Sequence, residues 1–338
     1  MEEDKLRDLI APALGSAADE AAACIAVPPG LFGEENGHIG AAELAFALSL
    51  VLHHGLLERV PTGAAYVTDC RASGRRVMLD HGALRTICLP GGAATGTLPA
   101  GAAAFARILQ PLGYALADTY PLDRLRMTGY AWCHKEYPET IAQYFISELH
   151  VDRFDGAFQE AAGRIFGTTR DPLDTETSGL LDLLAREGRL SLDNAIALLP
   201  SLAAMFDRHH DIPSLADYEI LKGQSSEAAW IATEGNAFNH GTDRVSNLDM
   251  VVQSQRDAGR AMKDRIEVSG SGRVRQTATR ADWLEREFAV EDGTVRRSVP
   301  GSFYEFISRD IDPATGTLDL RFDSGNAQGI FKMTALDA

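Results

Sequence analysis

The sequence predicts an α+β protein in which two related αβ modules are separated by a long helical stretch. Three observations carry this. The hydrophobic period changes from helical to strand-like after Pro61, and it returns to helical between 139 and 235. The pattern His-Gly-x-x-Arg then occurs twice, at 81–85 and at 240–244, each time in a strand-like run, with Asp80 before the first histidine and Asn239 before the second.

The elements follow in order. Residues 1–60 read as a helical N-terminal segment: AAELAFALSLVLHHGLLERV keeps a 3.6-residue apolar spacing, and Pro28-Pro29-Gly30 interrupts the helices. Residues 61–138 form the first αβ module. Its run from Arg75 to Leu89 is rich in apolar and β-branched residues and stops at Pro90-Gly91-Gly92, a strand ending in a turn. A helix is expected at 99–112, and strands at 114–120 and 126–133. Residues 139–235 read as a helical insertion with breaks at Gly188 and Pro200. Residues 236–338 form a second αβ module with strands near 237–246, 265–277, 295–309 and 317–322, and together the segments make one compact catalytic unit.

The composition, 45% hydrophobic and 24% charged, is that of an ordinary globular protein. A net charge of -16 argues against a nucleic-acid or anionic-membrane partner, because a polyanion is repelled overall. It also means that an anionic small molecule needs a local arginine. The acidic start and the lack of a long uninterrupted apolar run lead to an expected cytoplasmic location. Cys24, Cys70, Cys88 and Cys133 are too widely spaced for a zinc knuckle or a disulfide framework, so buried or half-buried free thiols are expected.

A mononuclear iron site needs two imidazoles and one carboxylate on one face, with the remaining positions open. On a strand, His81, Ala83 and Arg85 share a face while Asp80, Gly82 and Leu84 share the other. The alternative for His81 is a core histidine beside a salt-bridged arginine. His240 repeats the arrangement, with Thr242 and Arg244 on its side. Glu305 sits among Phe303, Tyr304, Phe306 and Ile307, where an unpaired carboxylate is costly, so a metal ion or a buried arginine is required. A rival triad, His150-Val-Asp152 with His209 or His210, is weakened by its helical appearance, since a helix sends His and Asp two apart in different directions. His53-His54 and His209-His210 read as surface caps at helix ends.

The segments LDHGALRT, FNHGTDRV, RQTATRAD and FYEFISRD, in this order, resemble the signature segments of the 2-oxoadipate dioxygenase/decarboxylase family, over about residues 75–335. That resemblance implies a vicinal oxygen chelate-like fold of βαβββ modules whose sheets curl around a metal. It places the Fe(II) ligands on His81, His240 and Glu305 and the substrate-binding arginine on Arg85. The implied reaction is oxidative decarboxylation: a 2-oxo dicarboxylic acid (2-oxoadipate) chelates Fe(II) and reacts with O2 to give D-2-hydroxyglutarate and CO2. Arg85 suits that task because a guanidinium clamps a carboxylate in a bidentate way. Arg244 is a second substrate candidate, with a salt bridge to Asp243 or Asp249 as the alternative, and Gln276 could orient substrate or oxygen. The segment from Ser324 through Gly329 resembles a closing helix over the site. Two other readings stay open: a redox-silent glyoxalase-like isomerase or lyase using the same ligands, and a non-catalytic binder of a small acid.

Overall fold

The computed structural model describes residues 2–33 and 37–323. Helices α1 (Glu2–Leu14), α2 (Ala18–Cys24), α3 (Ala41–Arg59) and α4 (Pro61–Ala72) build the N-terminal part, with a short strand β1 (His38–Gly40) leading into α3. The helical segment therefore continues beyond Pro61, which serves as the first helical residue of α4, where its missing N–H is harmless. Helix α3 is long and apolar enough on composition alone to cross a membrane, yet most of it is buried in the core.

The first module runs β2 (Leu79–Cys88), α5 (Ala103–Leu109), β3 (Tyr114–Leu122), β4 (Met127–His134) and β5 (Gln143–His150). The expected helical stretch from 139 thus begins instead with a strand. QYFISELH is buried on both faces, so it shows no polar–apolar alternation to betray a strand. The helices of the middle segment are α6 (Gly156–Phe166), α7 (Thr175–Glu187), α8 (Leu192–Ala204), α9 (Leu215–Lys222) and α10 (Ser226–Glu234), with β6 (Arg189–Ser191) pairing back onto β1. Asp155, Asp174, Ser191, Ser214 and Ser225 each cap a helix start by accepting a backbone N–H three residues on. Gly188 ends α7 in the left-handed conformation, as its sequence position suggests. Pro200 does not break the chain but lies inside α8.

The second module repeats the first: β7 (Phe238–Arg244), α11 (Leu248–Asp257), β8 (Glu267–Val268), β9 (Val274–Ala278) and, after an added hairpin of β10 (Trp283–Val290) and β11 (Gly293–Pro300), β12 (Phe303–Arg309). All but the hairpin join one eight-stranded sheet in the order β3-β4-β5-β2-β7-β12-β9-β8. Each half is a βαβββ unit. In each, the first strand runs parallel to the last, and the halves meet where β2 and β7 pair antiparallel.

This seam brings the echoed motifs together, with Gly82 opposite Gly241. Both glycines are needed for close packing. A Cβ at Gly82 would lie 2.2 Å from the Phe238 ring, and one at Gly241 would lie 2.8 Å from Leu56. The convex face of the sheet, including Tyr144, Phe238, Tyr304 and Phe306, packs against the N-terminal helices and α8. On the concave face, α6, α9 and α10 cover the far end of β2 and β5 through Ile87 and Leu149. That leaves the concave surface around His81 and His240 to form a cavity wall.

A buried histidine–carboxylate cluster and its family

His81, His240 and Glu305 converge on the concave face. Their side chains are 2%, 4% and 1% exposed, and one ligand atom from each lies within 4.8 Å of the others. The register explains this. His81 pairs with Thr242, Ala83 with His240, and Glu305 with Thr242, so three adjacent strands present these side chains on the same surface. The two Nε2 atoms are 3.4 Å apart, and His240 Nε2 is 3.2 Å from Glu305 Oε2. That last contact is close but poorly directed, and among the described residues neither Glu305 oxygen has a hydrogen-bond partner.

Burial pushes the Glu305 carboxyl up to about 8, against the pull of Lys263. Burial also lowers both histidines, His240 well below its ordinary value, so the rings stay neutral and keep a lone pair. Two neutral imidazoles and a buried carboxylate with unbonded oxygens form a donor set that fits a divalent cation, which would supply the charge the carboxylate lacks. The cage around Glu305 is narrower than its neighbours in sequence suggest. Tyr304 and Phe306 face the convex core, while Phe303 stacks on His240 at 4.8 Å.

Strict alternation places Asp80 on the face opposite His81, and the structure corrects this. A register shift between Leu79 and His81 marks a bulge at Asp80. Its carboxylate accepts from His81 Nδ1 at 2.9 Å and from Arg309 Nε and Nη2 at 2.9 Å each. Burial alone would raise Asp80, but Arg309 and His81 together hold it well below the usual carboxylate range. His81 therefore keeps its proton on Nδ1 and directs Nε2 into the cluster. At His240 the neighbour is an amide, with Asn239 Nδ2 3.1 Å from Nδ1 and Oδ1 lacking a partner. With Oδ1 toward the ring, Asn239 accepts from Nδ1–H and leaves Nε2 bare.

Arg85 is fully buried on the concave face, its guanidinium 4.9 Å from the ring centre of Trp230 on α10, and Asn236 Nδ2 donates to its carbonyl at 2.8 Å. Burial lowers it to about 10, opposed by Glu227, so it stays cationic. Arg244 does not bond Asp243 or Asp249. It lies 3.2 Å from Asp80 and donates to the Glu139 carbonyl. Asp243 is taken by Tyr66 and Arg75, and Asp249 by Arg275. Gln276 is buried on β9, on the same face as Glu305 and two residues from Ala278, the register partner of Glu305. The expected closing helix from Ser324 lies outside the described residues. Just before it, Phe322 packs edge-on to His81 at 4.9 Å, and Arg309 grips the carbonyls of Asp319 and Arg321.

Other histidines fall elsewhere. His53 is not a surface cap but is buried against the Tyr304 hydroxyl at 3.0 Å, and His210 is buried on the Ala232 carbonyl. His150 ends strand β5 and does not lie on a helix.

Two βαβββ units sharing a curled sheet, with a buried His–His–Glu cluster on its concave face, define a protein of vicinal oxygen chelate type. A profile of the 2-oxoadipate dioxygenase/decarboxylase family matches residues 53–316, and the chain belongs to that family of oxidising enzymes. The chain is similar to the 2-oxoadipate dioxygenase/decarboxylase, chloroplastic/amyloplastic, of Oryza sativa subsp. japonica. The two are 24% identical over 312 residues, covering 83% of this chain and 76% of that one. Among solved structures, it matches a protein of Ralstonia eutropha JMP134, provisionally assigned to the glyoxalase superfamily, with TM-score 0.89 and 49% identity over 95% of this chain and 98% of that one. It shares its fold with a hydroxyglutarate synthase from Oryza sativa, solved in complex with 2-oxoadipate, with TM-score 0.69 and 22% identity over 93% and 96% of the two chains.

Proposed function

We propose that this chain is an Fe(II)-dependent dioxygenase/decarboxylase that converts a 2-oxo dicarboxylic acid, 2-oxoadipate, with O2 into D-2-hydroxyglutarate and CO2. The observation that carries the reading is the buried His81–His240–Glu305 cluster, whose carboxylate oxygens have no hydrogen-bond partner among the described residues, in a member of this family. A solved relative is complexed with 2-oxoadipate, which supports that substrate class.

His81, His240 and Glu305 would hold the ion. Bound there, Fe(II) supplies chelation of a 2-oxo acid and activation of dioxygen. Arg85, buried and cationic on the same face, receives a substrate carboxylate, with the Trp230 ring beneath its guanidinium. Asp80 holds the His81 proton at Nδ1 and leaves Nε2 as the donor. Phe322, Tyr120 and Phe145 wall the site with apolar surface and exclude water. Gln276, buried on the same face, would orient substrate or oxygen. The reaction balances without a second keto acid: the substrate gives up its first carboxylate as CO2, and both atoms of O2 enter the products.

Metal-free protein reconstituted with Fe(II) under anaerobic conditions, then mixed with 2-oxoadipate and air, should consume oxygen and release CO2 in equal amounts. No oxygen uptake across four- to seven-carbon 2-oxo acids would sink this reading. It would leave the redox-silent isomerase or lyase, which the glyoxalase-superfamily assignment of the 49% identical relative favours next.

A further inference from the structure

Away from the His81 cluster, on the opposite face of the same sheet, a second set of donors converges. Cys88 ends β2 and His150 ends β5. The two are register partners, and Glu148 stands two residues earlier on β5. The face follows from alternation: Cys88 lies seven residues beyond His81 along β2, roughly 23 Å at the rise of a strand. The Cys88 thiol, the His150 ring and the Glu148 carboxylate each place a ligand atom within 4.8 Å of the other two.

Two of the three donors are aimed by neighbours. His150 Nε2 lies 2.7 Å from Thr128 Oγ1, and its Nδ1 faces Glu148 Oε1 at 3.7 Å. Thr128 and Nε2 share one hydrogen, which fixes the ring plane and turns its Nδ1 edge toward the carboxylate. With its hydrogen on Nε2, the ring offers the Nδ1 lone pair to a cation beside the carboxylate. Glu148 is held in turn by its other oxygen, which accepts from Ala102 N at 2.7 Å. Gly101 leaves it room, because a Cβ there would fall 1.9 Å from Glu148 Oε2. The remaining oxygen has only a long contact of 3.5 Å from the Tyr130 hydroxyl. A thiol, a ring nitrogen and a carboxylate oxygen thus face one another, an arrangement that a cation stabilises.

We propose that Cys88, Glu148 and His150 form a second metal site for a borderline-soft divalent cation of the zinc class. Sulfur, imidazole nitrogen and one carboxylate oxygen are the donors that such an ion prefers, and hard ions such as Mg²⁺ or Ca²⁺ would not choose a thiolate. Binding releases the Cys88 proton to solvent, and the thiolate and Glu148 together balance the two charges of the ion. The side chains of His150 and Glu148 are 16% and 11% exposed, so the ion has a route in and solvent can take the fourth position. Seated there, the ion ties the ends of β2 and β5 to the start of α5. This site does not depend on the iron reading, since no residue is shared.

The test uses the full chain stripped of metal and titrated with Co(II) and, separately, Zn(II). Co(II) should produce a thiolate-to-metal charge-transfer band in the near ultraviolet, which the nitrogen and oxygen donors of the His81 cluster cannot give. The band should persist in Glu305→Gln and vanish in Cys88→Ser. Zn(II) should slow alkylation of Cys88 by about tenfold or more, as expected for a metal-bound thiolate, while half-buried Cys133 reacts unchanged. This second measurement uses the unaltered chain, so it decides even where Cys88→Ser folds poorly. Absence of the band, its survival in Cys88→Ser, or equal alkylation of Cys88 with and without Zn(II) each overturns the site.

Discussion

The two halves of the sheet carry the same five-residue pattern and use it differently. In the first half, His81 leans on a carboxylate and Arg85 stacks on Trp230. In the second, His240 leans on an amide and Arg244 is drawn to Asp80 and a backbone carbonyl. The last strands differ more. Phe303 and Glu305 sit beside His240 and Thr242, whereas the matching positions beside His81 and Ala83 are Gln143 and Phe145. Glu305 therefore has a phenylalanine as its counterpart. A repeat with carboxylates in both halves would surround an ion; this one supplies a carboxylate from one side and leaves apolar wall on the other. Near-symmetry of the backbone sets where side chains can meet, and the asymmetry of a few neighbours sets what they can do.

The largest effect should come from the pair Glu305 and Phe145. Glu305→Gln should abolish stoichiometric Fe(II) binding and lower kcat/KM by more than the roughly 10–100-fold that loss of an outer partner brings. Phe145→Leu should keep the metal and cost about 1 kcal/mol of stability. Metal analysis and denaturant unfolding read the two outcomes. Equal metal loss in both variants would break the comparison.

Next come the neighbours of the histidines. Asp80→Asn should weaken Fe(II) binding by about 10–100-fold, because His81 loses its charged partner and Arg309 loses its anchor. Asn239→Ala should do less, since only a neutral bond is lost. Competition with a chelator measures both.

The arginines sharpen the contrast. Arg85→Lys should raise KM for the keto acid about tenfold with iron content unchanged, the scale of one charge-assisted hydrogen bond. Arg244→Lys should leave KM nearly unaltered and reduce metal retention through Asp80. Iron lost from Arg85→Lys would assign that residue a structural role.

A pH experiment isolates the carboxylate. The Glu305 pKa in the metal-free fold is raised from 4.5 to about 8, so its protonated form favours the folded state. That contribution is complete below 4.5 and is lost as pH rises toward 8. The Tm of metal-free protein should fall across this window more steeply than that of Glu305→Gln, and loading with a divalent ion should remove the difference.

The smallest effect concerns the seam. Gly82→Ala forces a Cβ into the Phe238 ring and should destabilise by about 1–3 kcal/mol, whereas Gly241→Ala meets only the tip of Leu56 and should cost less.

Much of this was legible in the chain. That His81, His240 and Glu305 would come together could be read because each stands in a short local pattern, and the doubled His-Gly-x-x-Arg pointed to two modules. Strand β5 was not legible, because a strand buried on both faces lacks the period-two signal. Asp80 lay beside His81 in the sequence, yet its role depends on a bulge that turns it to the same side. Arg309 and Phe322 gave no local signal of their work at His81.

By itself the sequence determined the fold class, the repeat and the residues able to hold a metal, because propensity and motif act over a few neighbouring positions. The tertiary structure decided which arginine was drawn to Asp80 and which was buried against Trp230, which histidine received a carboxylate, and that Cys88 should meet Glu148 and His150. These are matters of strand register and of contacts between residues far apart in the chain. A one-residue bulge or a strand partner changes them without any change in local pattern.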